Sequence, residues 1–172
     1  MRKFAKTLSL LWSLMLLPFA HSAAQNKVYK SPLAAMQAIV IPVGKKRFEH
    51  RESRVEIHAG ERTLRWRSFA SSDGSHGEGI DHAAWTINGQ FFVFNTSSSG
   101  GHQPWHLPMY FYSRSTNRFY GLDSSIGPVT SDFSLVGRST LKTTRFNLAR
   151  KNGKESVTVN LRRLLSKTRG RH

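Results

Sequence analysis

Residues 85–94 read Trp-Thr-Ile-Asn-Gly-Gln-Phe-Phe-Val-Phe, a turn signal followed by an apolar run. Asn88-Gly89 is a turn signal, because both residue types tolerate the left-handed backbone of a tight turn. An uninterrupted apolar run, residues 91–94, follows almost at once. Such a run bounded by a turn is typical of a strand that is buried in a β core. The sequence therefore predicts a tight turn that leads into a core strand.

Other short runs on both sides have the same β character, and clusters of Gly, Ser, Asn and Pro separate them. The predicted strands are residues 36–43, 54–58, 64–66, 109–112 and 119–122. We interpret Trp66 and Trp85 as core residues because they lie within strand patterns. Asn152-Gly153 predicts a two-residue turn in a hairpin over residues 145–161. Leu161, Leu164 and Leu165 have helical spacing, which predicts one short C-terminal helix.

The first strands repeat in the later ones at one fixed offset. A shift of 55 positions superimposes three successive strand patterns without a gap. The aligned pairs include Ala38 with Val93, Val55 with Tyr110, and Leu64 with Phe119. We therefore predict antiparallel meander sheets that are built as copies of one unit.

The repeated order is turn, strand, loop, strand, short turn and strand, and it resembles a blade of the WD-type and Tol-type β-propellers over residues 31–122. Ser31-Pro32 matches the first half of the Ser-Pro-Asp-Gly-like turn of those blades, and Asn88-Gly89 matches the second half. Because known propellers use at least four blades, the resemblance implies two to three blade-like sheets rather than a closed ring. The alternative is a β-sandwich, and the C-terminal hairpin is a candidate for a third, degenerate sheet.

The N-terminus has the composition of a secretory signal peptide. Basic residues at positions 2, 3 and 6 precede an apolar run at 8–20, and small residues follow at 22–24. The apolar run is shorter than the roughly 20 residues that a membrane span needs. We therefore predict a signal peptide at residues 1–24 and a single β-rich domain at 25–172, periplasmic or secreted, with no transmembrane segment after cleavage.

The charge is strongly basic, with a formal value of +16, and the chain has no cysteine. Disulfides, thiol nucleophiles and thiolate metal sites are thereby excluded. Residues 138–172 contain eleven Lys and Arg and one acid, Glu155. This basic region favours anionic partners such as lipid headgroups or acidic polysaccharide, or else serves as a solvated surface. Nucleic acid is disfavoured as a partner because an exported protein seldom meets it.

Two loops, residues 73–82 and 96–108, have the most unusual composition, rich in His, Asp, Ser, Gly and Pro. In a four-stranded meander, the loop before the first strand and the loop between the second and third strands lie at the same end. The two loops should therefore share one face. The candidate ligand-binding residues on this face are Asp73, His76, Glu78, Asp81, His82, His102, Gln103, Trp105 and His106.

This face allows several functions. Trp105 on a loop stiffened by Pro104 and Pro108 suits stacking on a sugar or a peptide. The histidines and carboxylates also suit a metal site or acid–base hydrolysis, although their spacing matches no known motif. We therefore predict a non-catalytic binding or envelope-associated protein, with no catalytic residue, metal or cofactor assigned. The alternatives are a metal- or carboxylate-dependent hydrolase that uses the same loops, and an adaptor that binds anionic surfaces through residues 138–172.

Overall fold

A computed structural model describes residues 25–33, 35–43, 52–73, 76–101 and 103–169. Within these ranges the chain forms three antiparallel sheets and two short helices, so the predicted mostly-β, antiparallel fold is confirmed. None of the described helices is long and apolar enough to cross a membrane. The predicted signal peptide, residues 1–24, lies outside the described residues.

The first sheet contains β1 (Lys27–Lys30), β2 (Met36–Pro42), β3 (Ser53–Ala59) and β4 (Arg62–Ser68). The second sheet contains β5 (Glu78–Trp85), β6 (Phe91–Ser98), β7 (Met109–Ser113) and β8 (Arg118–Gly121). The third sheet contains β9 (Ser134–Val136), β10 (Thr140–Phe146) and β11 (Lys154–Asn160). Helix α1 (Asp123–Ile126) lies between the second and third sheets in the chain, and α2 (Leu161–Arg169) follows β11. In each sheet, every strand pairs with its neighbours in the chain, which is the meander order that the blade resemblance implies.

The two four-stranded sheets keep the predicted spacing of 55 at their second strand, whereas their third and fourth strands begin 56 positions apart, from 53 to 109 and from 62 to 118. Strand β2 begins at Met36 and β6 begins at Phe91, a shift of 55 positions from 36 to 91. The C-terminal hairpin is part of a third sheet, as one of the two interpretations allowed. Strands β1 and β9 were not predicted, because four and three residues are too few to show an alternating pattern.

The second sheet lies between the other two, and β6 is buried on both faces. The side chains of Phe92 and Phe94 pack in a core with the first sheet. Those of Phe91 and Val93 pack in a second core with the third sheet and the helices. Because side chains alternate across a strand, an uninterrupted apolar run is what a strand between two cores requires.

Aromatic side chains dominate the first core. The ring of Trp85 lies 5.2 Å from that of Phe92, and its Nε1 donates a hydrogen bond of 2.8 Å to the carbonyl oxygen of Tyr29. The core position predicted for Trp85 is therefore confirmed. The same prediction is wrong for Trp66, which is 60% exposed. Trp66 pairs with Glu56 on the outer face of the edge strand β4, opposite the face that packs on the second sheet.

Two predicted boundaries are also wrong. Strand β5 begins at Glu78, so the predicted loop over residues 73–82 ends at Gly77 and residues 78–82 belong to a strand. The β10–β11 connection is a seven-residue loop, 147–153, and not a two-residue turn. The backbone N–H of Asn147 donates a hydrogen bond to the carbonyl oxygen of Gly153, which closes the loop. Strand β10 therefore ends at Phe146, five residues before the end at residue 151 that a two-residue Asn152-Gly153 turn would give.

Candidate functional site

The segment before β5 and the loop between β6 and β7 lie side by side. The backbone N–H of Ser99 donates a hydrogen bond of 2.8 Å to the carbonyl oxygen of Gly77, which joins the two loops directly. A cleft of about 360 Å³ lies between them. Its lining residues are His76, Gly77, Glu78, Ser98, Gln103, His106 and Pro108. Four of the nine predicted ligand residues (His76, Glu78, Gln103 and His106) therefore line one cavity.

The carboxylate that holds this arrangement, Glu52, was not predicted. It is 1% exposed and directly precedes β3. Its oxygens accept hydrogen bonds from Ser71 Oγ (2.6 Å), Ser71 N (3.0 Å), Gly77 N (2.7 Å) and Ser99 Oγ (3.1 Å). Burial alone raises the pKa of Glu52, but these four donors outweigh burial and bring the pKa below its ordinary value. The Glu52 carboxylate thus accepts hydrogen bonds from both of the loops that form the walls of the cleft.

Gly77 is the point at which the two loops and Glu52 meet. A Cβ at this position would lie 2.5 Å from the carbonyl oxygen of Phe69 and 2.6 Å from Cδ of Glu52. Any side chain would therefore push the loop away from the carboxylate. The absence of a side chain at Gly77 allows the close approach on which the cleft depends.

Each imidazole that lines the cleft is paired with a carboxylate. Nδ1 of His76 contacts Oδ2 of Asp73, and Nε2 of His106 lies 2.6 Å from Oδ2 of Asp123 in α1. Asp123 also accepts a hydrogen bond from the backbone N–H of Met109 through its other oxygen. A carboxylate that accepts one ring N–H fixes the ring orientation and leaves the other nitrogen as a proton acceptor. Both rings are thereby oriented before any ligand arrives.

Glu78 forms an acidic part of the cleft wall. Its Oε2 accepts a hydrogen bond of 2.7 Å from Thr96 Oγ1 and lies 3.5 Å from the hydroxyl of Tyr110. Burial and the neighbouring Glu78 charge raise the pKa of Tyr110 to about 12, although the Arg67 guanidinium 4.7 Å from its ring centroid opposes this shift. The Tyr110 phenol therefore remains a proton donor at neutral pH.

Trp105 lies beside the cleft and is 49% exposed. Its ring stacks on His106 with an interplanar angle of 29° and contacts the ring of Phe146 on the third sheet. The backbone N–H of His106 donates to the carbonyl oxygen of Gln103, so this short turn is internally bonded. Trp105 is therefore a half-exposed aromatic side chain at the edge of the cleft, packed on His106 and Phe146.

The remaining predicted residues lie elsewhere. Asp81 and His82 form a β-bulge opposite Asn95 and do not line the cleft. The side-chain oxygen of Asn95 accepts the backbone N–H of His82, and the His82 ring packs 4.6 Å from that of Phe133. Asp73 does not line the cleft, but it contacts His76 and accepts a hydrogen bond of 2.8 Å from Ser71 Oγ. His102 lies outside the described residues.

Among the residues that the structure describes, no group of three or more His, Asp or Glu side chains could hold a metal ion. Comparison of the chain with protein-family models, with curated proteins and with solved structures gives no match. The chemistry of the cleft is therefore the basis for any functional proposal.

Proposed function

We propose that the protein is an exported, non-catalytic binding protein whose ligand occupies the cleft between the two loops. One observation carries the proposal: His76, Glu78, Gln103 and His106 line a single cavity whose walls are both bonded to the buried Glu52. These residues come from two separate segments of the chain, 76–78 and 103–106, and they lie together in the folded protein with oriented side chains. Pre-orientation lowers the entropic cost of binding a small polar molecule.

The ligand is of the carbohydrate class. The lining offers carboxylate, imidazole and amide groups, which suit hydroxyl groups that both donate and accept hydrogen bonds. The half-exposed indole of Trp105 at the rim supplies a flat apolar face for a sugar ring. A volume of about 360 Å³ is near the lower end for small-molecule sites, so one or two sugar rings fit.

A second candidate function rests on the pairing of His106 with Asp123. A histidine held by a carboxylate is the arrangement of a general base. If this pair abstracts a proton from water, the cleft hydrolyses the sugar derivative that it binds. The binding experiment must therefore distinguish hydrolysis from simple binding.

Amide chemical-shift titration of the purified protein with a panel of mono- and disaccharides tests the proposal. We expect shifts confined to residues 76–78 and 98–108, and at least about tenfold weaker binding for His106→Ala. His82→Ala is the matched control, because this exposed histidine lies outside the cleft, and it should bind normally. Shifts elsewhere, or equal effects of the two substitutions, would overturn the proposal. Conversion of the sugar during the titration would favour the hydrolase.

Export is tested separately by N-terminal sequencing of protein recovered from outside the cytoplasm. Cleavage after Ser22 or Ala24 predicts a first residue of Ala23 or Gln25. Recovery of the intact N-terminus in the cytoplasm would contradict the localisation and leave the sugar-binding test unaffected.

A further inference from the structure

The loop between β10 and β11 presents an apolar side chain to solvent. Leu148 is 88% exposed, and Phe146 at the base of the loop is also exposed. The ring of Trp105 lies 5.6 Å from that of Phe146 and is itself half exposed. We call Trp105, Phe146 and Leu148 the apolar tip. Exposed apolar residues that cluster in this way mark an interaction surface more often than isolated ones do.

The loop that carries Leu148 is ordered by its own hydrogen bonds. The backbone N–H of Arg150 donates to the carbonyl oxygen of Asn147, and that of Gly153 donates to Arg150. Asn147 Oδ1 accepts the N–H of Ala149. Gly153 has a φ of 64°, and a Cβ there would lie 2.7 Å from the Phe146 ring. The backbone around Leu148 is thus fixed before any partner is met.

Positive charge lies close to the apolar tip, because Lys154 pairs with Phe146 across the two strands. Arg150, Lys151 and Lys154 lie on the same hairpin, and Glu155 is the one acid of residues 138–172. Glu155 is already bonded to Arg145 (2.7 Å) and Arg150 (3.3 Å). No acidic side chain of the described residues pairs with Lys151 or Lys154, so their charge is available to an anionic partner.

We propose that the apolar tip docks the protein on an anionic lipid surface. Leu148 and Phe146 enter the headgroup region, where aromatic and aliphatic side chains are stable, while Trp105 stays at the rim of the cleft. Lys151 and Lys154 bind the lipid phosphates by charge attraction. A soluble polyanion would use the lysines but would leave the leucine exposed, so the combination favours lipid. Since Trp105 also stacks on His106, docking places the cleft next to the surface.

The absence of cysteine from the chain allows a direct test. Leu148→Cys is labelled with an environment-sensitive fluorophore and mixed with phosphatidylcholine vesicles, with or without phosphatidylglycerol. We expect a blue shift with the anionic vesicles that weakens as salt is added. Ile87→Cys is the matched control, because Ile87 is an exposed apolar residue in the turn between β5 and β6, and its label should not respond. Equal responses at both positions would overturn the proposal.

Vesicle co-sedimentation of unlabelled variants is the second measurement. Leu148→Asp and the double variant Lys151→Glu/Lys154→Glu should each lower the partition coefficient at least about tenfold, and Ile87→Asp should not. Unchanged thermal unfolding of each variant shows that the fold is intact. Every variant is prepared with the same N-terminus as the wild type, so vesicle binding that depends neither on position 148 nor on the two lysines would refute the proposal. Binding to heparin that is as strong as binding to lipid and independent of Leu148 would also refute it.

Discussion

Replacement of Glu52 by Gln keeps the shape of this buried side chain and removes its charge. Oε1 of Glu52 accepts three of its four hydrogen bonds, from Ser71 Oγ, Gly77 N and Ser99 Oγ. Oε2 accepts the fourth, from Ser71 N. A glutamine can place its side-chain carbonyl oxygen where Oε1 of Glu52 lies. Its amide N–H₂ then faces the backbone N–H of Ser71, which leaves a donor against a donor.

The magnitude follows from these four bonds. A hydrogen bond to a charged group contributes about 1.5–3 kcal/mol, compared with about 0.5–1.5 kcal/mol for a neutral pair, and an unsatisfied buried donor costs about 1–3 kcal/mol. Removal of a buried charge returns part of this loss, because the glutamine is easier to desolvate. We expect Glu52→Gln to lower the free energy of unfolding by about 3 kcal/mol at neutral pH.

The effect must depend on pH with a definite sign. The pKa of Glu52 is lower in the folded protein than its ordinary value of 4.5. The carboxylate therefore stabilises the fold above pH 4.5, and this contribution is lost as the pH falls through the folded-state pKa. The difference between wild type and Glu52→Gln should consequently be largest at neutral pH and shrink on acidification.

Urea unfolding across this pH range measures the difference, and amide exchange locates it. Exchange should accelerate most at Ser71 and Gly77, whose N–H groups donate to the carboxylate. Glu61→Gln, an exposed glutamate in the turn between β3 and β4, is the control and should change stability by less than about 0.5 kcal/mol. A loss below about 1 kcal/mol for Glu52→Gln, or one that does not vary with pH, would refute this account of the charge.

Gly77→Ala should destabilise the fold by about 1–3 kcal/mol through overpacking, whereas Gly121→Ala, whose Cβ would make only ordinary contacts, should not; chemical denaturation compares them. Glu78→Gln should lower the pKa of Tyr110 from about 12, because the Glu78 charge is the largest cause of the rise after burial; phenolate absorbance, referenced to Tyr110→Phe, measures it. Hydrogen bonds from neighbouring side chains hold the pKa of Glu155 at about 2. The β10–β11 hairpin should therefore lose this support as the pH falls below 4.5 towards 2. Faster amide exchange there in wild type, but not in Glu155→Gln, is the expected result.

Local features made the sheets predictable from the sequence. The apolar run at residues 91–94 and the Asn88-Gly89 turn are contiguous signals, and the shift of 55 positions needs only a comparison of the chain with itself. The loops at the cleft could also be placed together, because a meander fixes which loops share an end. Trp66 shows the limit of such reasoning. Alternation places Leu64 and Trp66 on one face of the strand, but a register shift leaves Leu64 without a partner on β3, so Leu64 packs on the first core while Trp66 faces outward.

Glu52 could not have been found in this way. Its partners are 19, 25 and 47 residues away in the chain, and a glutamate before a strand has no distinguishing pattern. The same applies to Asp123, which orients His106 from 17 residues further along. The Glu52 contacts exist only after the first and second sheets have packed, and the Asp123 contacts exist only after β7 and β8 have paired.

Strand β6 couples the packing of the three sheets, because it takes part in both cores. Its side chains alternate between the two cores. Its C-terminal end leads into the loop in which Ser99 Oγ donates a hydrogen bond to Glu52. Separation of the first or the third sheet would expose one apolar face of β6 to water. The described sheets should therefore unfold cooperatively in a single step. Loss of any one of the three sheets should therefore also disrupt the cleft.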